Sequence, residues 1–140
     1  MATSAPPLPL EKTVAKMALR ASIGSARDQK DPLSFDDENM LAGVNVYEQQ
    51  RCAVCHGAPG QPRTTISKGM FPAPPQLFEK DDMVTDDPEG ATYWKVTHGI
   101  RLSGMPGFAD TLSDTQRWQV TMLVAHADKL SGAAQAAFGH

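Results

Sequence analysis

Cys52, Cys55 and His56 place two thiols and an imidazole within the five residues Cys-Ala-Val-Cys-His. On a helical turn, positions i, i+3 and i+4 share a face. Both sulfurs can then reach the two vinyl groups of a haem while the imidazole is delivered to its iron, and C-x-x-C-H is the spacing of covalent haem c attachment. Two other chemistries use part of this set. A thioredoxin-like dithiol wants a strand before the pair and a βα context, which Tyr47 to Arg51 does not supply. A zinc site wants four ligands, and outside the motif only the scattered His98, His126 and His140 remain. A disulfide between positions so close together would close too short a loop to staple a fold.

A haem electron carrier usually has a sixth ligand, and a thioether sulfur raises the reduction potential relative to a second imidazole. Met105 lies 49 residues after His56 in Gly104-Met105-Pro106-Gly107-Phe108. The glycines allow tight turns, while Pro106 fixes its own φ and keeps Met105 extended. Met70, in the similarly braced Gly69-Met70-Phe71-Pro72, is the rival ligand. Met17, Met40, Met83 and Met122 read as core filler.

These groups must be positioned by helices. Leu10, Val14, Met17 and Ala21 mark one face of a helix over Leu10 to Ile23, ended by Gly24. A polar stretch with Pro32 follows as a linker, so the arm and the rest are expected to be separable. A second helix begins at Ser34 or Asp36, with Asp37 and Glu38 on the positive end of its dipole. It runs to about Gln50 with Met40, Val44 and Tyr47 as its stripe, and Gly43 permits a close backbone approach. From Gly57 to Leu77, Gly and Pro recur often enough to predict a long irregular loop with a short turn near Pro75 to Glu79. Long loops in small domains usually wrap something. Asp87-Pro88-Glu89 reads as a cap followed by a first-turn proline, starting a helix to about His98 that Gly99 stops. Ser113 to Gln116 is a capping box, and Trp118 to Leu130 follows as the last helix. No run alternates apolar and polar residues as a strand would, and no repeat of fixed period is visible.

The 140 residues are one domain's worth of chain, 41% hydrophobic and only 6% aromatic, so something besides aromatics has to fill the core. The net charge of -3 gives no basic excess for nucleic-acid phosphates. Its distribution is uneven: residues 1–30 carry +3 and residues 31–140 carry -6. Lys12, Lys16 and Arg20 accompany the apolar stripe of the first helix, which suits contact with an anionic membrane surface or a membrane subunit. No segment has the roughly 18 uncharged apolar residues of a membrane span. The N-terminal residues also lack the basic and apolar regions of a secretory signal.

The ordered series of motifs resembles class I c-type cytochromes, in particular bacterial monohaem cytochrome c domains, over about residues 37–131. It comprises Gly43-x-x-x-Tyr47 ahead of Cys-Ala-Val-Cys-His-Gly, and the loop Gly-Met-Phe-Pro-Ala-Pro-Pro-Gln-Leu. It continues through Tyr93-Trp94-x-x-x-His98-Gly99, Gly104-Met-Pro-x-Phe108, and Leu112-Ser-Asp before the Trp118 helix. The resemblance implies an all-α class I cytochrome c fold, four to five helices around one haem c held by two thioethers, with an extra amphipathic helix at the N-terminus. Residues 1–33 are then a basic arm and residues 34–140 the haem domain. It also implies that His56 is the proximal ligand and Met105 the distal one, with the second His56 nitrogen donating to a proline-loop carbonyl, Pro72 or Pro74. In such domains the first and last helices cross at a small residue, here Gly43, with an aromatic on each. Leu123 stands where the second aromatic is usual, and Trp118 one turn earlier is expected to compensate.

Trp94, Ile100 and Phe108 are expected to contact the ring and Arg101 to face a haem propionate. His98 reads as a helix C-terminal residue, and His126 and His140 have no supporting constellation. The run from Glu79 to Glu89, with six acids and one lysine, reads as a solvated loop leading into a helix cap, with a partner-docking patch as the alternative. The function expected is a periplasmic one-electron carrier, not an enzyme, working as a monomer between redox partner proteins, with no nucleic-acid partner. The alternatives are a gas- or peroxide-binding haem enzyme or sensor, and the soluble haem domain of a membrane-anchored complex. Because haem c is attached outside the cytoplasm, a lost export signal and an added Met1 are expected.

Overall fold

A computed structural model describes residues 2–139, and Met1 and His140, including the expectations for both, lie outside the described residues. The described residues form seven α-helices and two short 3-10 turns with no strand. The helices are α1 (Glu11–Ile23), α2 (Asp37–Gln49), α3 (Ala53–His56), α4 (Thr65–Lys68), α5 (Glu89–His98), α6 (Asp114–Ala125) and α7 (Gly132–Ala137). The fold is the all-α class I cytochrome c type that the sequence implied.

The helix boundaries follow local chemistry. Asp36 caps α2 by accepting a hydrogen bond from the Asn39 amide at 2.9 Å. Ser113 and Gln116 exchange bonds in a reciprocal capping box that starts α6 at Asp114, four residues earlier than expected. That helix stops at Ala125, short of Leu130, and a 3-10 turn over Ala127–Lys129 follows. Asp87 does not cap α5, whose N-cap is Pro88. Its carboxylate instead lies 3.7 Å from Lys95 Nζ. The Gly- and Pro-rich stretch after the cysteines is not wholly irregular, because Thr64 accepts from the Ser67 amide and caps the single turn α4.

The centre of the molecule is the crossing of α2 and α6. A Cβ at Gly43 would run into the Gln119 carbonyl, and would sit 3.1 Å from Leu123 Cβ, so the two backbones meet where only glycine fits. Leu123 is fully buried there, with Met40, Val44, Tyr47, Val120 and Met122 around it. The expected compensation by Trp118 does not occur. Trp118 turns to α5 and stacks on Tyr93, with centroids 4.0 Å apart. Tyr47 finds its aromatic partners in Phe78 and Phe138, both edge-on. Phe138 follows α7 and is 1% exposed, so the C-terminal turn supplies the ring that α6 lacks. His126 has a packing role, stacked on Phe35 at 4.3 Å.

Of the methionines read as core filler, Met40 and Met122 are buried, Met83 is half-buried, and Met17 is 65% exposed. Met17 lies on the outer face of α1 with Leu10 and Val14, 74% and 61% exposed. The join between arm and body is packed. Ile23 is buried, and the turn Gly24–Asp28 brings the Ala26 carbonyl so close to Gly90 of α5 that a Cβ there would collide with it. Just beyond the turn, the Asp31 amide donates to Glu89 at 3.1 Å.

Candidate haem-binding site

Helix α3 is one turn long and carries Cys55 and His56, with Cys52 at its N-cap. The His56 amide donates to the Cys52 carbonyl at 2.8 Å, which holds the three side chains on one turn. Both cysteines are unpaired by disulfide and half-buried. Burial pushes the Cys52 thiol up to about 11, so at neutral pH it is not the reactive thiolate that a dithiol redox centre needs. Among the described residues no three His, Cys, Asp or Glu side chains converge as a metal site would require. Thiol exchange and zinc binding are therefore poorly served by this geometry.

His56 Nδ1 lies 2.9 Å from the Pro75 carbonyl. The carbonyl can only accept, so the ring proton sits on Nδ1 and the lone pair of the neutral imidazole is on Nε2. Burial lowers the imidazole's pKa and favours that neutral form. The acceptor is neither Pro72 nor Pro74. The Leu77 amide donates to the His56 carbonyl at 3.0 Å, and this backbone bond sets the register that brings Pro75, two residues earlier, under the ring.

The loop after α5 is built as a closed turn. Gly99 adopts φ +68, and a Cβ there would meet backbone atoms of Pro106 and Gly107 at 2.6 Å. The Ile100 amide donates to the Met105 carbonyl at 3.2 Å, and Ser103 Oγ takes the Met105 amide at 3.1 Å. Phe108 and Ala109 then return along α5, donating to Val96 at 2.9 Å and Thr97 at 3.1 Å. Met105 thus rides on a braced loop, in which Gly107 lets the chain pass close to the backbone of Thr97 and His98. Met70 reaches this loop from the proline-rich segment, its methyl group occupying the space that a side chain at Gly104 would need. The loop that holds His56 and the loop that carries Met105 meet there.

Met70, Trp94, Ile100, Met105 and Phe108 are all half-buried. Such partly open apolar side chains are what a planar apolar cofactor would cover, and two thiols with an imidazole on one helical turn are a donor set that fits haem c. Arg101 is exposed and forms no ion pair among the described residues. His98 ends α5 at the surface, tilted against Trp94 with centroids 4.9 Å apart, as expected of a helix C-terminal residue. Sequence reasoning missed Gln76 and Thr64. The side-chain amide of Gln76 donates to the Cys55 carbonyl at 3.0 Å, and Thr64 Oγ1 donates to the Val54 carbonyl at 2.5 Å. The adjoining glutamine of the Pro-Pro-Gln-Leu motif was the available signal.

Comparison with known proteins agrees with this fold. The model of the family described as cytochrome C oxidase, cbb3-type, subunit III matches residues 38–123. Among solved structures, a chain of the reducing HAO-like protein complex of Kuenenia stuttgartiensis is similar, with a TM-score of 0.57 and 22% identity. The alignment covers 86% of this chain and 61% of that one. A search of curated proteins returned no significant match.

Proposed function

This chain belongs to the family of c-type cytochrome domains described as cytochrome C oxidase, cbb3-type, subunit III, whose chemistry is haem-based electron transfer, and on that premise we propose that it is a periplasmic one-electron carrier with a single, covalently held, His/Met-ligated haem c. Cys52 and Cys55 would hold the ring by thioethers, and His56 Nε2 and the Met105 thioether would be the ligands of its iron. When bound, the haem supplies an iron that changes oxidation state by one electron. The protein's part is to orient and to exclude. Pro75 fixes the imidazole's tautomer and direction. The braced Met105 loop would hold the thioether for the iron, while Trp94, Ile100 and Phe108 would face the ring and Arg101 would offer a charge to a propionate.

The observation that carries this reading is His56 itself, aimed by a 2.9 Å bond, shifted by burial toward its neutral form and one residue from Cys55. With two protein ligands no position is open to a substrate, so the surrounding chain selects electron transfer to redox partner proteins over ligand chemistry. Stopped-flow mixing of the reduced protein with carbon monoxide at neutral pH tests it. No binding within seconds is expected, whereas rapid binding would establish the gas- or peroxide-reactive alternative.

The outer face of α1 favours a second, compatible reading, in which the domain lies at a membrane surface or on a membrane-anchored subunit. Leu10, Val14 and Met17 are solvent-exposed, with Lys12, Lys16 and Arg20 on the same helix. Among the described residues no helix is long and apolar enough to cross a membrane. Removing residues 1–22 leaves Ile23 and its packed turn in place. That deletion is expected to abolish co-sedimentation with anionic vesicles while the melting temperature changes little. A fall in melting temperature alone would assign α1 to packing.

A further inference from the structure

Four consecutive carbonyls close the haem-attachment turn, and each is bound by a donor from elsewhere in the chain. Thr64 Oγ1 donates to Val54 at 2.5 Å, Gln76 Nε2 to Cys55 at 3.0 Å, the Leu77 amide to His56 at 3.0 Å and the Tyr47 hydroxyl to Gly57 at 2.6 Å. A helix of four residues leaves such groups without partners of its own, so these bonds keep the turn in shape. Gln76 differs from the other three donors because it touches both sides of the His56 hydrogen bond. Its amide reaches Cys55, the residue before His56, and also the Pro74 carbonyl at 3.1 Å, the residue before Pro75.

The amide is itself held. Gln76 is 3% exposed, and its Nε2 also lies 3.0 Å from Ser67 Oγ, which Arg63 Nε fixes at 3.0 Å. Its backbone amide donates to Asp82 at 3.0 Å. Two amide hydrogens shared among three acceptors leave Gln76 little freedom.

We propose that Gln76 is a positioning residue for electron transfer, fixing the Pro75 carbonyl against His56 Nδ1 and thereby setting how strongly the imidazole donates to the haem iron. The proposal rests on His56 being the proximal ligand. An imidazole whose second nitrogen donates a firm hydrogen bond is a more basic ligand and stabilises the ferric state. Loosening Pro75 weakens that bond and favours the ferrous state.

The test uses the haem-loaded full chain. Histidine ligation of a haem c in the unmodified protein comes first, and its absence would overturn the His56 assignment and the proposal with it. Gln76→Met keeps the side-chain volume and removes both donors. Its potential is expected to rise by an amount matching about a tenfold shift in the ferrous/ferric equilibrium, or about 59 mV for one electron. The His56 Nδ1 proton should exchange with solvent at least about tenfold faster, with the low-spin bands retained. An unchanged potential and unchanged exchange, with only a lower melting temperature, would make Gln76 merely structural and overturn the proposal. If Gln76→Met fails to take up haem, Gln76→Asn decides, since its shorter side chain cannot span both carbonyls. A raised potential supports the role and an unmoved one refutes it.

Discussion

Met105→Ala is expected to lower the reduction potential by on the order of 0.1–0.3 V, within the roughly 0.8 V that axial ligands command. A thioether is a soft ligand that favours ferrous iron. With it gone, water or hydroxide takes the position and the ferric state gains. The reduced variant should bind carbon monoxide within milliseconds, which the unmodified protein should not do. Met70→Ala provides the contrast. Met70 fills the space beside Gly104, so its loss should cost about 2 kcal/mol of stability and leave the sixth ligand in place. If Met70→Ala opens the iron to carbon monoxide and Met105→Ala does not, the two methionines exchange roles. The braces on the Met105 loop, from Ser103, Ile100 and Gly99, argue against that exchange.

The second large effect belongs to the cysteines. Replacing both Cys52 and Cys55 with serine should remove essentially all haem from the protein on a denaturing gel, where the unmodified chain keeps it. Two thioethers survive denaturation, whereas an iron-imidazole bond does not. The doubly substituted protein should also bind a hydrophobic dye, because Met70, Trp94, Ile100 and Phe108 would lose the ring that covers them. In the unmodified protein neither sulfur should react with an alkylating agent. Two alkylatable thiols in the purified, haem-loaded protein would contradict thioether attachment and revive the dithiol reading.

The chemistry was legible in the sequence where it is local. C-x-x-C-H needs only one helical turn and the capping box at Ser113 acts over three residues, so spacing alone marked them, while it left the α2 cap open between Ser34 and Asp36, of which Asp36 is used. What depended on long-range packing was hidden. Tyr47 required an aromatic partner, but nothing in the small-residue stretch Gly132–Ala137 announces that Phe138 will supply it. Trp118 had two possible neighbours, and the stacking face of Tyr93 won. The one-turn helix α4 escaped notice because a turn so short has no periodicity to read, only a threonine cap. Pro75 was passed over for its neighbours because a backbone carbonyl leaves no mark in the residue type. Its position follows from the Leu77 to His56 bond, visible only in three dimensions.

A haem would also account for the lean composition. With 6% aromatic residues the chain has few large rings. Three of them, Tyr47, Phe78 and Phe138, pack edge-on against one another, while Trp94 and Phe108 are only half-buried. A planar cofactor covering such side chains would contribute apolar bulk that the chain itself lacks.

A spectroelectrochemical titration of the purified full chain tests the central claim most directly, because it reports haem type, spin state, ligation and electron count together. The prediction is one reversible one-electron wave, with low-spin haem c bands in the reduced form and a thioether-to-iron charge-transfer band in the oxidised form. A high-spin spectrum, a wave of two electrons, or no haem c bands at all would contradict the assignment of this chain as a His/Met-ligated electron carrier.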